Sequence, residues 1–234
     1  MASPDLVNGY GRAMTDRTPL SRLYRGTRER VSALLAEGVD DTLPVPATPG
    51  WTVHDVVAHL AGVAQDAVAG RIPTQGPTPA WTSTHVERGA GVPLAELLER
   101  WADAAAGLEA ALDVSPMWPP VMDAASHEFD LRGALGDTGA RDSDAVVICS
   151  KVILTGLRPP APLRVITEHH DVRVGPDVPD QDRVLLRTTS FEAFRWRFGR
   201  RSRDQLLAMD WSGDPGPFLP HLCVFGPADH DLVE

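Results

Sequence analysis

Four stretches within the first 135 residues space their large apolar side chains three and four positions apart, and that period commits a chain to helices with one buried face. The clearest stretch runs from Pro93 to Leu112, where Leu94, Leu97, Leu98, Trp101, Ala105, Leu108 and Leu112 form one stripe. A second, beginning at Thr18, carries Leu20, Leu23, Tyr24, Val31, Leu34 and Leu35 at similar spacing. In the third, Thr52 is placed to cap a helix over Val53–Val68, with Asp55 in its first turn where the helix dipole favours a negative charge. The fourth follows Pro119 and Pro120, covers about Val121 to Leu135, and stops at Gly136. Four such helices imply an up-and-down four-helix bundle.

The texture changes after Ala140. Ala145–Cys149, Leu163–Glu168 and Asp182–Thr189 are short, β-branched and bounded by Pro, Gly and Asp, and so read as strands. Helical segments at Phe191–Phe198 and Ser202–Met209 interleave with them. Residues 73–82 and 157–162 read as loops by composition. The expected fold is therefore α+β, with a bundle over residues 1–140 and a smaller α/β domain over 141–234.

Charge and cysteine content narrow the function. Of 234 residues, 22 are basic and 32 acidic, a net charge of −10 that speaks against a nucleic-acid partner. Residues 1–150 hold 11 basic and 20 acidic residues and residues 151–234 hold 11 and 12, so the acidity belongs to the helical part. Hydrophobic residues make up 43% and charged residues 23%, and no apolar run approaches the ~20 residues of a membrane span. With only Cys149 and Cys223, and no basic-then-apolar leader in MASPDLVNGYGRAM, a reducing cytoplasm is the expected compartment.

Chemistry-bearing residues concentrate on two of the helices. Asp123 and His127 stand four apart and so share a helix face. A carboxylate and an imidazole so placed are two of the three protein ligands common at catalytic divalent-metal sites. His59, on the stripe of Val56, Leu60 and Val63, faces where the bundle should pack; it reads either as a third ligand or as a hydrogen-bonded core histidine. Asp130 either orients an imidazole or pairs with Arg132, or else is a solvated charge, and Glu128 is expected at the surface. Arg195, Arg197, Arg200, Arg201 and Arg203 crowd one segment. They would suit a carboxylate or a polar thiol head group, or they pair internally with Asp204, Asp210 and Asp214.

Three segments also carry a family resemblance. Trp51-Thr-Val-His-Asp-Val-Val-Ala-His-Leu-Ala-Gly resembles the W-[ST]-V-x-D-x-x-x-H-L signature of the DinB-like metalloprotein superfamily, in the branch of the actinobacterial mycothiol-dependent maleylpyruvate isomerases. Asp123-Ala-Ala-Ser-His127-Glu-Phe-Asp130 is similar to that family's fourth-helix motif. Ser190-Phe-Glu-Ala-Phe-Arg-Trp-Arg-Phe-Gly-Arg-Arg-Ser202 and Trp211-Ser-Gly-Asp214 resemble its small C-terminal domain. The resemblance implies that His59, Asp123 and His127 hold zinc or another divalent ion, with Asp123 standing where the better-known isomerases carry Glu.

It further implies that mycothiol is the thiol cosubstrate, attacking a small electrophile as a metal-activated thiolate in an isomerase or S-transferase reaction. Arg200 and Arg201 are the implied catalytic arginines, with Arg195 beside them as a further thiol-binding candidate. A non-catalytic metal-binding or stress protein and a thiol-independent hydrolase using metal-activated water are the competing expectations. The implied partners are small molecules, with the chain a monomer or a homodimer. Cys149 and Cys223 are expected to be packing residues.

Overall fold

A computed structural model describes residues 18–36, 38–73 and 76–234, so the leader reading falls outside the described residues. These residues separate into two compact units, 18–139 and Ala140–Val233. Among them no helix is long and apolar enough to cross a membrane.

The first unit is helical: α1 (Leu20–Leu35), α2 (Val53–Val68), α3 (Pro79–Gly89), α4 (Leu94–Val114) and α5 (Trp118–Leu135). Helix α1 packs on α4 and α5, and α2 packs on the same two, which closes a four-helix ring; α3 lies against α2. Because α2 is contacted by three helices, nearly its whole surface is buried, which explains the near-continuous apolar run Val56 to Ala64. Its start is fixed by a capping box: the Thr52 side chain accepts from the Asp55 amide, and the Asp55 carboxylate accepts from the Thr52 amide. Gly136 closes α5 in the left-handed conformation, φ 67°, at little steric cost.

Helix α3 is a departure from the expected loop over 73–82. Thr78 accepts from the Trp81 amide at 3.2 Å and Pro79 occupies the first turn, where its missing N–H costs nothing. The Pro- and Thr-rich composition that reads as a loop is here the start of a helix.

The second unit contains α6 (Asp144–Thr155), β1 (Leu163–Ile166), β2 (Asp171–Val174), β3 (Val184–Arg187), α7 (Ser190–Arg197), α8 (Arg203–Leu207), β4 (Asp210–Trp211) and α9 (Leu219–Leu222). Its sheet has the order β2-β1-β3-β4, with β1 and β3 parallel and the outer pairs antiparallel. Leu163, Val165, Val172, Val174 and Leu186 from the sheet pack with Leu154, Trp196, Leu206 and Phe218 in one core. The segment Ala145–Cys149, expected as a strand, is the first half of α6. Buried Ala145, Ile148, Cys149, Val152 and Ile153 keep three- and four-residue spacing through twelve residues, and that length decides for helix over strand.

Glu128 corrects the surface expectation. Helix α5 buries every residue from Pro120 to Arg132 except Asp123, so its polar side chains must find partners inside. Glu128 is fully buried and accepts from Arg30 Nε at 2.8 Å, Arg30 Nη2 at 2.6 Å and Arg132 Nε at 3.1 Å. Truncating one partner of such a network leaves uncompensated charge behind. Glu128→Ala should therefore cost about 3–5 kcal/mol in urea unfolding, against less than about 0.5 kcal/mol for exposed Glu99→Ala.

Candidate metal centre

His59 lies two turns into α2, and the capping box that sets where α2 begins also sets the direction in which His59 points. Asp123 and His127 occupy successive turns of α5, which packs on α2. One donor atom from each of the three side chains falls within 4.8 Å of the others. His59 Nε2 is 3.3 Å from Asp123 Oδ2, and His127 Nε2 is 3.6 Å from Asp123 Oδ1. Ligands held at about 2.0–2.2 Å from one ion at tetrahedral angles stand about 3.3–3.6 Å apart, so these separations suit a common divalent ion. His59 and His127 are buried, whereas Asp123 is half-buried.

The nitrogen of His127 turned away from this cluster is also satisfied. Its Nδ1 is 2.9 Å from Asp130 Oδ2, and Asp130 is fully buried. A carboxylate only accepts, so His127 Nδ1 carries the proton and Nε2 presents its lone pair toward Asp123. Of the readings left open for Asp130, this bond is the one that orients an imidazole.

Trp51, the first residue of the signature, covers the site: its ring centroid is 5.2 Å from that of His59 and 6.2 Å from that of His127. Sequence reasoning gave it no role beyond the motif, and it gave none at all to His85. That residue, from α3, is buried with Nδ1 3.1 Å from His59 Nδ1 and Nε2 3.0 Å from Asp66 Oδ2. It fits because residue 62 is glycine: a Cβ there would stand 2.5 Å from His85 Cγ. Burial pulls the His85 imidazole below its ordinary value, although the bond to Asp66 opposes this.

Asp66 is a hub. Arg71 donates to it at 3.0 and 2.8 Å, Arg88 at 2.8 Å and the Trp81 indole at 3.0 Å, besides His85. Burial pushes its carboxyl up, but the bonds from Arg88, Arg71 and His85 outweigh it and hold the group well below the usual carboxylate range.

In the second unit several of the crowded arginines have partners within the unit. Arg201 makes a paired contact with Glu192 at 2.8 and 2.7 Å and also donates to the Arg200 carbonyl. Arg200 donates to the Phe198 carbonyl at 2.8 Å. Arg197 donates to the carbonyls of His221 and Leu222, and Arg195 is fully buried. Cys149 and Cys223 are both free thiols; burial pushes them up to about 12 and about 11, so neither is a thiolate near neutral pH.

The family model for the mycothiol maleylpyruvate isomerase N-terminal domain matches residues 13–145. None of the curated proteins matches the chain. A crystal structure of the mycothiol-dependent maleylpyruvate isomerase is similar in fold, with TM-score 0.57 and 18% identity over 86% of this chain and 96% of that one. The crystal structure of a histidine-to-alanine mutant of that isomerase aligns with TM-score 0.56 and 17% identity over the same shares.

The environment of Asp66 has a pH signature. A carboxyl whose folded value is depressed adds stability above its unfolded value, about 3.9, and loses it as the pH falls through the folded value. Asp66→Asn should thus be less stable than wild type at pH 7, with the gap narrowing as the pH drops below about 4. Urea unfolding of both proteins at pH 7 and near pH 3 checks this, and a gap independent of pH would contradict it.

Proposed function

Because the chain belongs to the mycothiol maleylpyruvate isomerase N-terminal domain family, a family of enzymes, we propose that it is a divalent-metal, mycothiol-dependent isomerase acting on a small electron-poor alkene. The observation that carries the reading is the convergence of His59, Asp123 and His127, with Asp130 fixing the lone pair of His127 toward the same point. His59 Nε2, His127 Nε2 and an Asp123 oxygen would hold zinc or a similar ion. Three protein ligands leave a coordination position open, where a bound ion would supply the Lewis acidity that lets a thiol release its proton to solvent near neutral pH.

The chain's own residues supply the rest. Trp51 walls one side of the imidazole pair and limits water there. Asp130 keeps the proton on His127 Nδ1 and so keeps Nε2 from being protonated in its place. Neither cysteine of this chain is suited to be the nucleophile, so the thiol must come from outside. The added thiolate forms a carbon–sulfur bond to the alkene while the π electrons move onto the conjugated carbonyl. The former double bond then rotates, and expulsion of the thiolate restores the alkene in the other geometry. Thiol and proton are returned, so no oxidant or reductant is consumed; an S-transferase would stop at the adduct.

Arg200 and Arg201 are proposed to place the substrate carboxylate or the thiol head group. Arg201 also has a structural duty through Glu192, so its removal carries a stability cost. The two free cysteines and the lack of a membrane-crossing helix among the described residues support a cytoplasmic enzyme.

Protein purified without chelator should carry one divalent ion and isomerise a maleyl-type substrate only with mycothiol. His59→Ala and His127→Ala should lose both ion and turnover, whereas Asp123→Glu should keep the ion. Arg201→Ala should keep the ion while kcat/KM falls about tenfold to a hundredfold, or ~1.5–3 kcal/mol. Turnover that is indifferent to mycothiol, or intact in His59→Ala, would refute the proposal.

A further inference from the structure

The two candidate histidine ligands are oriented by different means. His127 is held directly by the Asp130 carboxylate, whereas His59 meets a second imidazole, that of His85. The direction of each bond in this second chain can be worked out from its far end. Asp66 receives Arg71, Arg88 and the Trp81 indole, so it sits there as a carboxylate that only accepts. His85 Nε2, 3.0 Å away, must therefore carry the proton. A neutral imidazole has one N–H, which leaves a lone pair on His85 Nδ1. The proton in the 3.1 Å contact between the two Nδ1 atoms then belongs to His59. With Nδ1 protonated, a neutral His59 has its lone pair on Nε2, the atom that would meet an ion beside Asp123, whose Oδ1 and Oδ2 lie 3.5 and 3.3 Å away.

We propose that His85 is a positioning residue for the metal centre: anchored by Asp66, it fixes the tautomer and ring direction of His59 without touching the ion. The inference rests on the metal reading of His59, Asp123 and His127. It brings α3, and with it Trp81 and Arg88, into the site's function, and it gives Gly62 a reason, since any side chain there would push His85 out of line. The interposed imidazole also has an electrostatic consequence. It passes on direction rather than charge, because Asp66 is already balanced by Arg71 and Arg88. Asp123 then stands as the carboxylate among the three candidate ligands, with Asp130 behind His127.

Two substitutions separate positioning from packing. In His85→Gln the carboxamide can donate to Asp66 and accept from His59 Nδ1, whereas His85→Phe fills a similar volume and does neither. Cobalt(II) affinity, measured by competition with a chelating indicator, should stay within about threefold of wild type in His85→Gln and fall about 10- to 100-fold in His85→Phe. Circular dichroism and melting of the metal-free proteins report whether each variant folds. In zinc-loaded wild type at about pH 8, long-range proton–nitrogen NMR should find His59 protonated at Nδ1 and His85 at Nε2.

Equal cobalt affinity in wild type and His85→Phe would overturn the inference. So would a tenfold loss in a folded His85→Gln, or the opposite tautomer at His59. If His85→Phe does not fold, the NMR result and His85→Gln decide. A wild-type chain that takes up no cobalt would overturn the metal reading and this inference with it, whereas cobalt uptake indifferent to His85 overturns this inference alone.

Discussion

An imidazole taken into a helix bundle loses the water that would have bonded both its nitrogens, and each bond left unmade costs about 1–3 kcal/mol. His59, His85 and His127 are all buried in one region, so the packing around them is governed by the need to give every ring nitrogen a partner of the right kind. The need is met outward from the cluster: His127 ends on Asp130, and His59 passes through His85 to Asp66, which collects two arginines and an indole. What remains are the nitrogens that face Asp123, and the same outward bonds that make burial tolerable leave their lone pairs pointing inward.

This arrangement also explains which features could be read from the sequence. The four-residue spacing of Asp123 and His127 fixes a shared helix face wherever the helix packs, and the capping residues Thr52 and Asp55 announce where α2 begins. Local geometry of that kind survives folding unchanged. Helix α3 was hidden because Thr78 and Pro79 favour a turn and a helix start equally well, and the length of the helix depends on packing against Gly62 and Ala58 of α2. His85 was hidden with it. Glu128 was misread because the polar-outward rule assumes a helix with a wet face, and α5 has almost none. The α6 segment misled for the opposite reason: its β-branched residues favour strands locally, while their spacing over twelve residues serves a helix.

Burial also governs the thiols of the second unit. It pushes Cys149 and Cys223 well above the ordinary thiol range, so neither offers a thiolate near neutral pH, and the proposed chemistry needs a thiol from outside the chain. The arginines of the second unit show a related economy: Arg197 and Arg201 spend much of their hydrogen-bonding capacity on carbonyls and on Glu192. In an otherwise acidic chain their crowding is in part architectural.

The central claim is that two imidazoles and one carboxylate of the helical unit bind an ion with a position open for an external thiol. X-ray absorption at the zinc edge, on protein purified without chelator and then titrated with mycothiol, tests it most directly. The account predicts a first shell of nitrogen and oxygen at about 2.0–2.2 Å that gains one sulfur near 2.3 Å when mycothiol is added. A protein that takes up no divalent ion even when zinc is supplied, or whose zinc first shell is unchanged by mycothiol, would contradict it.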